Sequence, residues 1–82
     1  MEFPALKVGD RGLEVRKWQK FLREQDMPLD SESAALDGIF GPGTAGGTRA
    51  YQTSKGLSLS GIVDAETYAQ AVKDGFDPTV DI

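Results

Sequence analysis

An eight-residue pattern occurs twice in this chain. Asp37-Gly38-Ile39-Phe40-Gly41-Pro42-Gly43-Thr44 returns as Ser60-Gly61-Ile62-Val63-Asp64-Ala65-Glu66-Thr67, 23 positions later and with nothing inserted or deleted. Gly, Ile and Thr are identical in the two copies, and Phe40 aligns with Val63. Each copy reads as a turn, a short buried apolar pair and a helix start. Gly41 and Asp64 suit the N-cap, and Pro42 suits the first helical position, where its missing N–H leaves no intrahelical bond unmade. A second echo flanks the first copy. Val15-Arg16-Lys17-Trp18-Gln19 precedes it and Thr48-Arg49-Ala50-Tyr51-Gln52 follows it, each a β-branched residue, two spacers, an aromatic and a glutamine. A turn-plus-helix repeat cannot bury its apolar face alone, so the copies must pack on one another.

The remaining spacing fills in an all-α domain of three helices. Val15, Trp18, Leu22 and Gln25 recur at helical intervals, which predicts a helix from Leu13 to about Gln25. Pro28 and the run Asp30-Ser31-Glu32-Ser33 read as a loop. A second helix is expected from Pro42 to about Lys55, stopped by Gly56 in a left-handed conformation. A third runs from about Asp64 to Lys73, with Gly75 past its end. Residues 1–12 read as extended and loop-like, with Leu6 and Val8 across the core edge. Residues 6–75 form the domain, and residues 76–82 read as a mobile acidic tail. Gly46 and Gly47 interrupt the second helix at about 1 kcal/mol each relative to alanine. Close helix contact and an open backbone for a ligand both account for them.

Several function classes are excluded at this stage. The chain has 82 residues, near the lower limit for a self-sufficient core. It has no cysteine and no histidine, which removes disulfides, thiolate metal sites and the usual general base. No cofactor and no metal site are expected. A net charge of −4 argues against nucleic acid as partner. The charge is uneven: residues 1–23 carry six basic and three acidic side chains, residues 24–82 three and ten. The N-terminus lacks the pattern of a signal peptide and no stretch is long enough to span a membrane, so no membrane partner is expected.

The ordered set Leu6, Gly9, Gly12, Val15, Trp18, Gln19, Leu22, then Asp37 to Gly41, Thr44, Tyr51-Gln52, Gly56-Leu57, Gly61 to Val63, Thr67 and Tyr68 resembles the three-helix peptidoglycan-binding domain attached to cell-wall lytic enzymes. The family usually has Ala-Val at Gly47-Thr48, Gly at Asp64 and Leu at Ala71. Phe21 stands where the resemblance expects no apolar side chain, beside Lys17 and Lys20, and reads as an exposed contact or as an ordinary exposed hydrophobe. The resemblance implies a non-catalytic, monomeric module that acts in the cell wall or periplasm. It would meet peptidoglycan, by glycan or by stem peptide, with a separate or fused hydrolase as possible partner. A phage, an injection system or a larger parent protein would supply the export route. A protein-interaction module on the same fold is the alternative.

A peptidoglycan binder wants aromatic planes, amide-type hydrogen-bonding groups and positive potential. The first repeat turn offers Asp37, Gly38, Phe40, Gly41 and Thr44 at a helix N-terminus, where free N–H groups attract carboxylate or acetyl oxygens. Arg49, Tyr51 and Gln52 lie on the helix that this turn starts, and Arg49 is a partner for a stem-peptide carboxylate. The second turn is expected to be poorer, because Asp64 and Glu66 place negative charge at its helix start. For most of these residues a structural reading also stands. Asp37 reads as a turn residue, Thr44 and Thr67 as local hydroxyls, Gln19 and Gln52 as buried amides, and Trp18 and Tyr51 as core. Asp37 and Asp64 are the obvious carboxylate pair for glycosidase chemistry, but turn and cap roles explain both, so no catalysis is expected.

Overall fold

Helices α1 (Leu13–Glu24), α2 (Ser31–Ala34), α3 (Pro42–Ser54) and α4 (Ala65–Lys73) follow one another in the computed structural model, which describes residues 4–80. The three long helices are those expected, and the described residues contain no strand beyond two isolated antiparallel bridges. The fold is all-α. The short α2 replaces the loop expected at residues 30–33. Asp30 caps it, its Oδ1 accepting from the Ser33 N–H at 2.8 Å, a local capping signal too short to carry helical periodicity. Asp64 caps α4 in the same way, accepting from the Thr67 N–H at 3.0 Å.

All four helices end alike. A residue with positive φ follows the C-cap, and the next N–H returns to a carbonyl five residues back. The bonds are Met27 to Leu22, Asp37 to Glu32, Leu57 to Gln52 and Phe76 to Ala71, between 2.8 and 3.3 Å. Glycine occupies the left-handed position after α3 and α4, but Asp26 (φ 58°) and Leu36 (φ 59°) occupy it after α1 and α2.

The core is an aromatic cluster around Trp18, which is fully buried. Tyr51, Tyr68 and Phe76 meet its ring edge-on at 5.8–6.0 Å, and its Nε1 donates to Thr48 Oγ1 at 2.9 Å. Two expectations fail here together. Phe21 is not exposed but 4 % accessible, because Phe76 packs across it at 5.6 Å. Residue 76 therefore begins a packed segment rather than a free tail, and Lys17 Nζ fastens that segment by donating to the Pro78 carbonyl at 2.7 Å. The outermost parts of both expected terminal segments, residues 1–3 and 81–82, lie outside the described residues.

Residues 6–12 tie the two repeat turns together. Leu6 exchanges backbone bonds with Val63 at 3.1 and 2.8 Å, while Gly9 and Asp10 bond Phe40 and Gly12 bonds Gly38. The tight turn closed by Asp10 N–H to the Lys7 carbonyl lies between these two attachments. Leu6 enters the core, but Val8, expected beside it, points to solvent. The apolar pair of each repeat is divided likewise. Phe40 and Val63 are buried, whereas Ile39 and Ile62 are exposed, as extended backbone at a turn alternates its side chains.

The two helix glycines also separate. A β-carbon on Gly47 would stand 2.6 Å from Leu29 Cδ2, 3.2 Å from the Pro28 carbonyl and 3.3 Å from Leu22 Cδ1. Gly47 thus marks close contact of α3 with the α1 end and the loop that follows. Gly46 has nothing within 4 Å of a β-carbon.

Candidate binding face at the two repeat turns

Each repeat turn is held by one buried glutamine from the preceding long helix. Gln19 Nε2 donates to Asp37 Oδ1, the Ile39 carbonyl and Thr44 Oγ1 at 2.9–3.0 Å, and its Oε1 accepts from the Gly38 N–H at 2.9 Å. Gln52 repeats the arrangement on Ser60 Oγ, the Ile62 carbonyl and Thr67 Oγ1 at 3.0–3.3 Å, and accepts from the Gly61 N–H at 3.0 Å. A primary amide is suited to this task because it offers donors and an acceptor on one rigid plane. Burial with every polar atom satisfied makes the two amides structural rivets. Asp37 is a turn residue: its Oδ1 also accepts from the Ile39 N–H at 3.0 Å.

The same frame positions an arginine over each turn. A β-carbon on Gly38 would fall 2.9 Å from Arg16 Cγ, and one on Gly61 would fall 2.9 Å from Arg49 Nη1 and 3.4 Å from its Cγ. Glycine is required at both places by φ of 75° and 73°, and the bare backbone lets the arginine stem lie flat on it. Arg16 is half-buried, with its Nε enclosed and without a hydrogen-bond partner among the described residues. Around it a shallow groove is lined by Arg11, Leu13, Asp37 and Ile39, and Leu13 and Ile39 are 47 % and 45 % exposed.

The expected site residues are thereby divided. Asp37, Gly38, Phe40, Gly41 and Thr44 do meet at the first turn, but Phe40 and Thr44 are buried behind it and Gly38 lies under Arg16. Arg49 and Gln52 belong to the second turn, because a helix of this repeat clasps the turn that follows it, not the one that starts it. Tyr51 belongs to neither. It is buried in the core, with its hydroxyl donating to Asp74 Oδ2. Tyr51, Gln52, Phe40 and Thr44 are therefore buried and support the fold. Asp37, and Arg49 at the other turn, remain at the surface.

The N-terminus of α3 is also different from expectation. The Asp30 carboxylate presses against Gly43, where a β-carbon would meet its Oδ2 at 2.1 Å. The Ser33 N–H, and after it the Ser33 hydroxyl, hold this carboxyl below the ordinary aspartate range. Glu32 and Asp37 line the same hollow with Ile39, Gly41 and Pro42. An internal carboxylate already complements this helix terminus, so the expected electrostatic contrast with the second turn disappears. Asp64 is likewise occupied as a cap, its Oδ1 also accepting from Thr67 Oγ1 at 2.9 Å.

A family profile for the peptidoglycan binding domain matches residues 11–71, most of the chain and both turns with their glutamines. The chain belongs to that family. The peptidoglycan binding domain also explains the overall shape. The solved N-terminal domain of SleB superimposes with a TM-score of 0.79 at 27 % identity, over 90 % of this chain and 96 % of that one. No curated protein matches the chain. Phe76 and the segment after it lie outside the matched range. Arg16 was the residue most easily missed in the sequence. Its signal was present, since Arg16 and Arg49 stand at the same place in the Trp18-Gln19 and Tyr51-Gln52 echo.

Proposed function

We propose that this chain is a non-catalytic peptidoglycan-binding module that brings a lytic or injection machinery to the bacterial wall, acting as a monomer. The observation that carries the reading is the first-turn groove. Arg16 is held over Gly38 by its own stem, and its enclosed Nε has no hydrogen-bond partner among the described residues. Stem-peptide carboxylates match a guanidinium that no carboxylate among the described residues pairs with. Exposed Leu13 and Ile39 give the alanyl methyls of such a peptide an apolar edge to rest on. Arg11 adds positive charge, and Asp37 supplies an acceptor for a peptide or acetamido N–H. Family membership supports the wall as the target.

The test is co-sedimentation with purified sacculi at moderate salt. Wild-type protein is expected in the pellet, and Arg16→Gln, which keeps the stem over Gly38, is expected to weaken binding without unfolding the domain. The loss should shrink as salt rises, since a charge contact is screened. Wild-type protein that stays in the supernatant would refute the reading.

A further inference from the structure

The second turn repeats the glycine-and-arginine arrangement of the first, and we infer that the domain carries two carboxylate-binding subsites, one under Arg16 and one under Arg49. The inference rests on the proposed wall-binding reading and extends it to the number of ligands held. The frame is the same at both turns. Gln19 and Gln52 make equivalent bonds to Gly38 and Gly61, to the carbonyls of Ile39 and Ile62, and to Thr44 and Thr67. Both arginine stems lie on the turn glycine, and both repeat isoleucines are exposed beside them. The chain has 13 carboxylate side chains and 9 cationic ones, yet neither arginine lies within ion-pair distance of a carboxylate among the described residues. Asp64 caps α4, and Asp37, which lines the first groove, commits its Oδ1 to its own turn.

The two turns differ in one neighbour of the arginine. The position of Leu13 in the first is taken in the second by Gly46, where the face of α3 is bare. The second subsite therefore lacks that apolar wall, and its Arg49 is exposed where Arg16 is half-buried. A polymer that carries a carboxylate peptide at each repeat suits such a pair of subsites. Holding it at two points raises apparent affinity without new contact types, by roughly 10²–10⁴-fold when both engage.

Titration of the whole chain with a soluble disaccharide–tetrapeptide muropeptide, followed by amide chemical shifts and calorimetry, separates the possibilities. Two ligands per chain are expected, with shifted amides at residues 11–16 and 37–39 and again at 46–49 and 60–62. Arg16→Gln and Arg49→Gln should each leave one ligand, and the double variant none. Sacculus affinity should fall at least tenfold in either single variant, while Lys73→Gln, which removes the same charge elsewhere, should leave it unchanged. One ligand per wild-type chain, lost in Arg16→Gln and kept in Arg49→Gln, would overturn the second subsite and leave the wall-binding reading intact. Wild-type protein that binds neither muropeptide nor sacculi would overturn both. Circular dichroism of each variant shows whether the turn still folds. Should Arg49→Gln unfold it, Arg49→Lys replaces it, since lysine keeps stem and charge but not the bidentate fork.

Discussion

Adjacent glycines in α3 should respond to the same substitution with opposite sign. Replacing a helix-interior glycine by alanine gains about 1 kcal/mol from propensity and reduced chain entropy. At Gly46 a new β-carbon meets nothing within 4 Å, so Gly46→Ala should realise most of that gain. At Gly47 it would stand 2.6 Å from Leu29 Cδ2, whereas apolar carbons prefer about 3.5–4 Å. Leu29 must retreat by about 1 Å, and its end can rotate. The Pro28 carbonyl at 3.2 Å is backbone and cannot. Overpacking of this kind costs about 1–3 kcal/mol, which exceeds the propensity gain, so Gly47→Ala should lose about 1 kcal/mol net. With a urea slope near 1 kcal/mol/M for so small a domain, the two midpoints should lie more than about 1 M apart, on either side of wild type. Trp18 fluorescence and far-ultraviolet circular dichroism both follow the transition. If Gly47→Ala raises the midpoint as far as Gly46→Ala does, the close contact with Leu29 and Pro28 is wrong.

Phe76→Ala should cost about 3 kcal/mol, the lower end for a buried aromatic because the ring sits at the core edge. A loss below about 1 kcal/mol in chemical denaturation would show that the segment after α4 is not part of the core. Stability should also fall at both ends of the pH scale. Asp74 is held below the usual aspartate range, chiefly by the Tyr51 hydroxyl, so its contribution is present above about pH 4 and lost as pH falls through the lowered value. Burial pushes the Tyr68 hydroxyl up to about 12, and Tyr51 is raised as well, so their contributions hold below about pH 10 and are lost above it. Urea midpoints measured from pH 2 to 11 test this, and Asp74→Asn should flatten part of the acid limb. A wild-type midpoint unchanged down to pH 2 would contradict the role of Asp74.

What the sequence determined by itself is local. Turn residues, caps and 3.6-residue spacing placed α1, α3 and α4 to within a residue or two, because each signal acts over a single helical turn. The repeat marked the turns and the helices they start, and the glutamines announced themselves by recurring, but which turn each helix clasps was not written in it. Where a contact joins distant positions, local signals carry no information. Phe21 is covered by Phe76, 55 positions later, and nothing near either residue records the other. Arg49 follows the first turn in the chain but lies on the second, since the direction in which α3 packs decides which glycine its stem can reach. The Asp30 carboxylate neutralises the start of α3 only because α2 folds back against it. Ile39 and Phe40 are equally apolar and adjacent, and the N-terminal segment, by pairing with the turn, settles which of them faces water. Elements are therefore written in neighbouring residues. The candidate binding face is made of side chains brought together across the fold, and only the tertiary packing could assemble it.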